Sequence, residues 1–198
     1  MQFKVAYWGP GESGKTTNYL WLKRRLSDAK VSQGFSIQTS QKRTLWNDSV
    51  FLKTEFDVGS AHFMTIWQVV TATGQERFLA TREFVLSGAD GAIFVADASP
   101  GREDENKRSF QELQALTRKT GIPVVIQLNK TDVEGATSAG DLADLLGIPA
   151  ESVKLAVAVK GEGVEETFNE ISGTILQGYF VRAVKAGAVT QVSSAEGQ

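Results

Sequence analysis

The run Gly9-Pro10-Gly11-Glu12-Ser13-Gly14-Lys15-Thr16-Thr17 follows directly on the apolar stretch Phe3-Lys4-Val5-Ala6-Tyr7-Trp8, and it constrains the chain more than any other feature. It fits the pattern G-x-x-x-x-G-K-[ST]. A loop that leaves a strand and turns into a helix directs successive backbone N–H groups inward. Those groups, with the positive end of the helix, can hold the α- and β-phosphates of a nucleotide. Lys15 is placed to reach the β- and γ-phosphates, and Thr16 to give its hydroxyl to Mg²⁺. The plainer alternative is a glycine-rich turn with a capping hydroxyl. The strand before and the helix after favour a nucleoside triphosphate site, with Gly9, Gly11, Glu12, Ser13, Gly14, Lys15, Thr16 and Thr17 as its candidate residues.

Composition agrees with one soluble α/β domain. The 198 residues are 41% apolar and 22% charged, enough for a full core. A net charge of −2 argues against a broad nucleic-acid-binding surface. With no cysteine, disulfides, thiolate metal sites, cysteine nucleophiles, palmitoylation and prenylation are excluded. The start Met1-Gln2-Phe3-Lys4 enters the first strand at once, so neither a signal peptide nor a myristoylated glycine is expected. No apolar run approaches the ~18 residues of a membrane span. A cytoplasmic protein without a lipid anchor is expected.

Periodicity alternates between strand and helix. Strands are expected at residues 3–8, 50–58, 63–71, 91–97, 122–128 and 153–157. Helices are expected at 15–29, with Leu20, Leu22 and Leu26 near helical spacing, and at 77–87, 105–119, 139–146 and 164–185. Residues 50–58 and 63–71 read as a hairpin turning at Gly59-Ser60-Ala61-His62. The fold class is α/β: a mostly parallel sheet of about six strands with one antiparallel edge strand and helices on both faces. The domain spans residues 1–185, and 186–198, small and polar, read as a disordered tail.

In such a sheet ligands lie beyond the carboxyl ends of the strands, where Asn129-Lys130-Thr131-Asp132 ends the apolar run Val124-Val125-Ile126-Gln127-Leu128. This is an N-K-x-D segment. Asp132 can accept from the ring N–H and exocyclic amine of guanine, whereas adenine presents a mismatched edge. Unpaired polar groups make such discrimination large. Asn129 can tie this loop to the phosphate loop, and the Lys130 stem can cover the base. Alone, the tetrapeptide also fits an Asx-capped turn.

Ala156-Val157-Ala158-Val159-Lys160 leads into Gly161-Glu162-Gly163-Val164-Glu165-Glu166-Thr167-Phe168. Here the chain resembles the small Ras-like GTPases, in which an S-A-K-like loop precedes a G-V-E-x-x-F helix start. The resemblance implies a Ras-like P-loop GTPase fold and implies that the Ala158 N–H, beside Val159, meets the guanine carbonyl. Val157 and Val159 replace the usual serine and lysine, so only the backbone part of the motif survives. Ras-like proteins also carry D-x-x-G-Q, where the glycine N–H meets the γ-phosphate and the glutamine positions the attacking water. Gly74 and Gln75 match it, and Thr71 replaces the Mg²⁺-associated aspartate.

That departure is shared with the MglA-type prokaryotic Ras-like GTPases, known from gliding motility and cell polarity. They resemble this chain in the phosphate loop continued to Asn18, in the threonine at Thr71, and in Arg43-Thr44-Leu45. The resemblance covers roughly residues 3–180; Thr73 stands where that family usually has proline, and its N-terminal extension is absent. It implies that the polar segment 30–47 is the first switch. Thr44 would then join Mg²⁺ through its hydroxyl and the γ-phosphate through its N–H. Arg43 would be an arginine finger supplied in cis, unless it belongs to a solvated run Gln41-Lys42-Arg43. The implied activity is slow hydrolysis of GTP to GDP and phosphate, with Lys15, Gln75 and Arg43 catalytic. The implied partners are a roadblock-fold protein that activates hydrolysis or exchange, and a downstream effector. A nucleotide-dependent scaffold with negligible hydrolysis is the alternative, since Thr71 weakens the metal site. A P-loop ATPase or kinase fits poorly with Asp132.

Other residues carry plainer expectations. His62 is expected exposed in the hairpin turn, and Trp21 and Trp67 in the core. Asp97 is expected to cap the turn beside Ser99, or else to assist Mg²⁺ through water. Residues 102–108 read as a solvated helix start. Trp46, beside Arg43 and Thr44, reads as a partner contact.

Overall fold

A computed structural model describes residues 1–25, 49–58, 61–72 and 79–185. Apolar alternation on both faces decides its centre. Strands β1 (Gln2–Trp8), β2 (Ser49–Val58), β3 (Ala61–Thr71), β4 (Gly91–Asp97), β5 (Val124–Asn129) and β6 (Val153–Ala156) form a six-stranded sheet in the order β2-β3-β1-β4-β5-β6. β2 runs antiparallel to β3, and the other pairings are parallel. Helices α1 (Lys15–Arg25), α2 (Leu79–Leu86), α3 (Glu103–Thr117), α4 (Ala139–Leu146) and α5 (Val164–Lys185) cover it.

The period of two sorts each central strand between two cores. Ala6 and Trp8 of β1 and Ala92, Phe94 and Ala96 of β4 pack with Val85 and Leu86 of α2, Phe110 and Leu113 of α3, and Leu142 of α4. Val5 and Tyr7 of β1 and Ile93 and Val95 of β4 pack on the other side with Tyr19 and Leu22 of α1 and Phe168, Ile171 and Ile175 of α5. Each fully buried Val, Leu, Ile or Phe among them stabilises the fold by about 1.5–3 kcal/mol, and each alanine by less. Burial also pushes the Tyr7 hydroxyl pKa up, keeping it neutral.

At the far end of the hairpin Phe56 and Phe63 stack with centroids 5.6 Å apart. Phe180 of α5 meets Phe63 edge-on at 5.3 Å and Phe56 at 6.5 Å.

The six-stranded, mostly parallel architecture with one antiparallel edge strand is the expected one, with local corrections. Hairpin pairing continues to Asp57↔His62 and Val58↔Ala61, so Ala61 and the exposed His62 are strand residues; His62 Nδ1 lies 2.7 Å from Asp57 Oδ1. Leu20 is 40% exposed while Tyr19 and Leu22 are buried, because the inward face of α1 falls one residue away from Leu20. β5 starts at Val124 rather than 122, since Pro123 cannot donate to a ladder and contributes only its carbonyl, to Ala92 N. α3 starts two residues earlier than expected, on the acidic turn Glu103-Asp104-Glu105, which suits the positive end of a helix. Trp67 is core, whereas Trp21 is only partly buried against it. Among the described residues no helix is long and apolar enough to cross a membrane.

Candidate functional site

At the carboxyl end of β1 the chain order reverses, with β3 on one side and β4 on the other, the place where open α/β sheets bind ligands. The phosphate loop leaves β1 here, pressed so close to β4 that a Cβ on Gly9 would stand 2.2 Å from the Val95 carbonyl oxygen. Its backbone takes glycine-like conformations at Gly9 (φ 150), Glu12 (φ 66) and Gly14 (φ 99).

The loop's carbonyls are taken up by side-chain donors. Lys15, 6% exposed, folds back so that Nζ donates to Gly9 O at 3.0 Å and Pro10 O at 2.6 Å. Arg102 Nη2 donates to Gly11 O, Asn129 Nδ2 to Ser13 O and Asn18 Nδ2 to Gly14 O, at 2.5, 2.8 and 3.0 Å. Since N–H and C=O point oppositely across a trans peptide, the Gly11, Ser13 and Gly14 carbonyls drawn toward Arg102, Asn129 and Asn18 turn the Glu12, Gly14 and Lys15 amides away from those donors. The buried Ser13 hydroxyl has no hydrogen-bond partner among the described residues. A glycine-walled concavity, a buried ammonium and amides so turned fit the phosphates of a nucleotide.

Asn129, at the end of β5, joins three segments. While its Nδ2 holds the phosphate loop, its Oδ1 accepts from Ala158 N at 2.9 Å. The Ala158 N–H, expected at a guanine carbonyl, is thus donated to Asn129, and the adjoining Val159 is 78% exposed. Lys130, in the left-handed region at φ 68, directs Nζ to Asp97 Oδ2 at 2.7 Å. Asp132 lies 3.0 Å from Lys160 Nζ. The hydrogen bond from Lys160 lowers the Asp132 pKa below the ordinary carboxylate value, so Asp132 is an ionised acceptor at neutral pH.

Asp97 is 1% exposed and fully engaged. Its Oδ1 accepts from Ser99 N at 3.0 Å and its Oδ2 takes Lys130. Burial pushes its pKa up, but bonds from Lys130 and Ser99 prevail and hold it below the ordinary value. A depressed folded-state pKa stabilises the fold above that ordinary value and loses the effect as pH falls through the folded one. Asp97 therefore serves the turn beside Ser99, the first of the two roles expected of it, and also anchors Lys130.

Thr71 is buried at the end of β3, in register with Tyr7 of β1, next to the start of the phosphate loop. Among the described residues no cluster of three His, Cys, Asp or Glu could hold a metal. Thr16 opens α1 beside Lys15, and a hydroxyl with nucleotide oxygens and water suits Mg²⁺, which keeps several waters and uses few protein ligands. Arg43, Thr44, Trp46, Gly74 and Gln75 lie outside the described residues.

Three residues at the site escaped the motif reading. Arg102, expected in a solvated run, has a side chain only 24% exposed and reaches the phosphate loop. Lys160 pairs with Asp132. Gln127, fully buried on β5, donates to Asn18 Oδ1 of α1 and Thr167 Oγ1 of α5, both at 3.0 Å. A polar residue inside an apolar strand was the available signal for Gln127.

The model of the ADP-ribosylation factor family (Arf) matches residues 1–175. The chain is 32% identical over 178 residues to the mutual gliding-motility protein MglA of Myxococcus xanthus (strain DK1622), covering 87% of this chain and 90% of that one. It is 30% identical over 112 residues to ADP-ribosylation factor-like protein 6 of Caenorhabditis elegans, 52% of this chain and 58% of that one. To an elongation factor 4 of Thermus thermophilus it is 25% identical over 174 residues, 84% of this chain but 27% of that protein.

Proposed function

Because this chain belongs to the ADP-ribosylation factor family, as an MglA-type Ras-like small GTPase, we propose that it is a switch that binds GTP and GDP with Mg²⁺ and hydrolyses GTP slowly unless a partner acts. One observation carries this reading: Asn129 bridges the phosphate loop and the 158–163 loop, so the phosphate-holding and base-reading segments form one continuous site.

The protein's own groups have distinct tasks. The phosphate-loop amides and Lys15 bind and orient the phosphates. Asp132 accepts from guanine. Gln75 orients the attacking water in line with the γ-phosphate, and Arg43 offsets charge developing on the transferring group. Thr16 and Thr44 would hold Mg²⁺, which when bound would supply neutralisation of phosphate charge. Thr44 and Gly74 meet the γ-phosphate only in the GTP state, which makes their segments the switch. A roadblock-fold protein is the partner suited to order Arg43 and Gln75, and an effector would read the ordered segments. A role in polarity or motility follows from the similarity to the gliding-motility protein named above.

Phosphate release under single-turnover conditions tests the reading. The parent releases phosphate from GTP, Gln75→Ala slows release about tenfold or more, and Arg43→Ala slows it chiefly with the partner present. ATP fails to displace labelled GDP at comparable concentration. No phosphate release even with a roadblock-fold partner leaves the scaffold reading standing; displacement by ATP overturns guanine specificity.

A further inference from the structure

Arg102 occupies a position that helix stability does not explain. It is the residue before α3, makes no capping hydrogen bond there, and puts a cation at the positive end of a helix. Its side chain spans from the first turn of the helix to the phosphate loop, where Nη2 donates to Gly11 O at 2.5 Å. Two carboxylates fix the guanidinium: Nη1 lies 2.6 Å from Glu105 Oε2. Nε lies 3.5 Å from Asp97 Oδ2, within ion-pair reach but without hydrogen-bond alignment. A planar guanidinium meets these acceptors in a fixed geometry, which an ammonium on a flexible stem does not impose.

The contact sets the orientation of one peptide. With the Gly11 carbonyl drawn toward α3, the Glu12 N–H of the same trans peptide faces the opposite way, into the concave side of the loop. Glu12 has φ 66, a conformation that costs a non-glycine residue roughly 1–2 kcal/mol, and the bond from Arg102 to Gly11 O is one contact that offsets this cost.

Resting on the function proposed above, we propose that Arg102 is a positioning residue for the phosphates of the bound guanine nucleotide, acting through the Gly11–Glu12 peptide to present the Glu12 N–H to a phosphate oxygen. Asp97 is also paired with Lys130 at 2.7 Å, a contact that does not pass through Arg102, so the base-reading segment is expected to keep its anchor in a variant that lacks it. The effect is confined to the phosphate half of the ligand.

Affinity for fluorescent GDP, and for guanosine by competition against it, is measured for the parent, Arg102→Ala and Arg102→Lys, with the melting temperature of each. Arg102→Ala raises the Kd for GDP about tenfold or more through faster release, Arg102→Lys recovers part of the loss, and guanosine affinity stays within about twofold of the parent. A merely structural role weakens GDP and guanosine in equal proportion, and that result, or unchanged GDP affinity, overturns the inference. Should Arg102→Ala not fold, Arg102→Lys gives the same comparison. A parent that binds no guanine nucleotide defeats the proposed function instead.

Discussion

Asp132→Asn lowers affinity for GDP and GTP by about three orders of magnitude and raises affinity for xanthosine diphosphate, as competition against fluorescent GDP measures. Guanine offers two donors, the ring N–H and the exocyclic amine, and an ionised carboxylate accepts both. Asp132 is ionised at neutral pH like any ordinary aspartate, and the Lys160 hydrogen bond shifts its pKa further down. An asparagine opposes one of those donors with its own N–H₂. Each charge-assisted hydrogen bond contributes about 1.5–3 kcal/mol, and a donor left facing a donor forfeits more. Xanthine carries a carbonyl where guanine carries the amine, so the same amide matches it. Parent-like GDP affinity in the variant would remove Asp132 from the site.

Gly14→Ala weakens every guanine nucleotide about a hundredfold without changing the preference between bases. Gly14 has φ 99, and a Cβ there would stand 2.1 Å from Asn129 Nδ2. Asn129 is 3% exposed and has nowhere to retreat without releasing Ser13 O and Ala158 N, which it holds at 2.8 and 2.9 Å. Backbone strain of about 1–3 kcal/mol adds to the cost of leaving buried polar groups unpaired. Release rates of fluorescent GDP and xanthosine diphosphate measure the effect. Equal slow release by variant and parent would show that the Asn129 bridge is dispensable.

Contiguity decided what could be read before the structure. The phosphate loop and Asn129 to Asp132 are short runs whose spacing is itself the chemistry, and β4, α4 and α5 have the expected bounds because period and flanking turns agree there. What escaped depends on contacts distant in sequence. Arg102 sits among charges and looks solvated, yet its acceptor Gly11 lies 91 positions earlier. Lys160, one place beyond the position where Ras-like loops carry lysine, gains its meaning only from the fold that brings Asp132 to it. Leu20 failed as a core residue because helical spacing leaves the inward direction open until α1 is docked, and Tyr19 and Leu22 fill that face.

The triad of Phe56, Phe63 and Phe180 ties the β2–β3 hairpin to the end of α5. Because strand faces repeat every two residues, the smallest slide of the hairpin that keeps its inward side inward is about 7 Å. Such a step would carry both hairpin phenylalanines off Phe180, forfeiting edge-on ring contacts of about 0.5–1.5 kcal/mol each. Intermediate positions bury the wrong side chains and are excluded. Any slide of the hairpin would therefore proceed in steps of two residues, and the end of α5, far from the phosphate loop, helps hold the observed register.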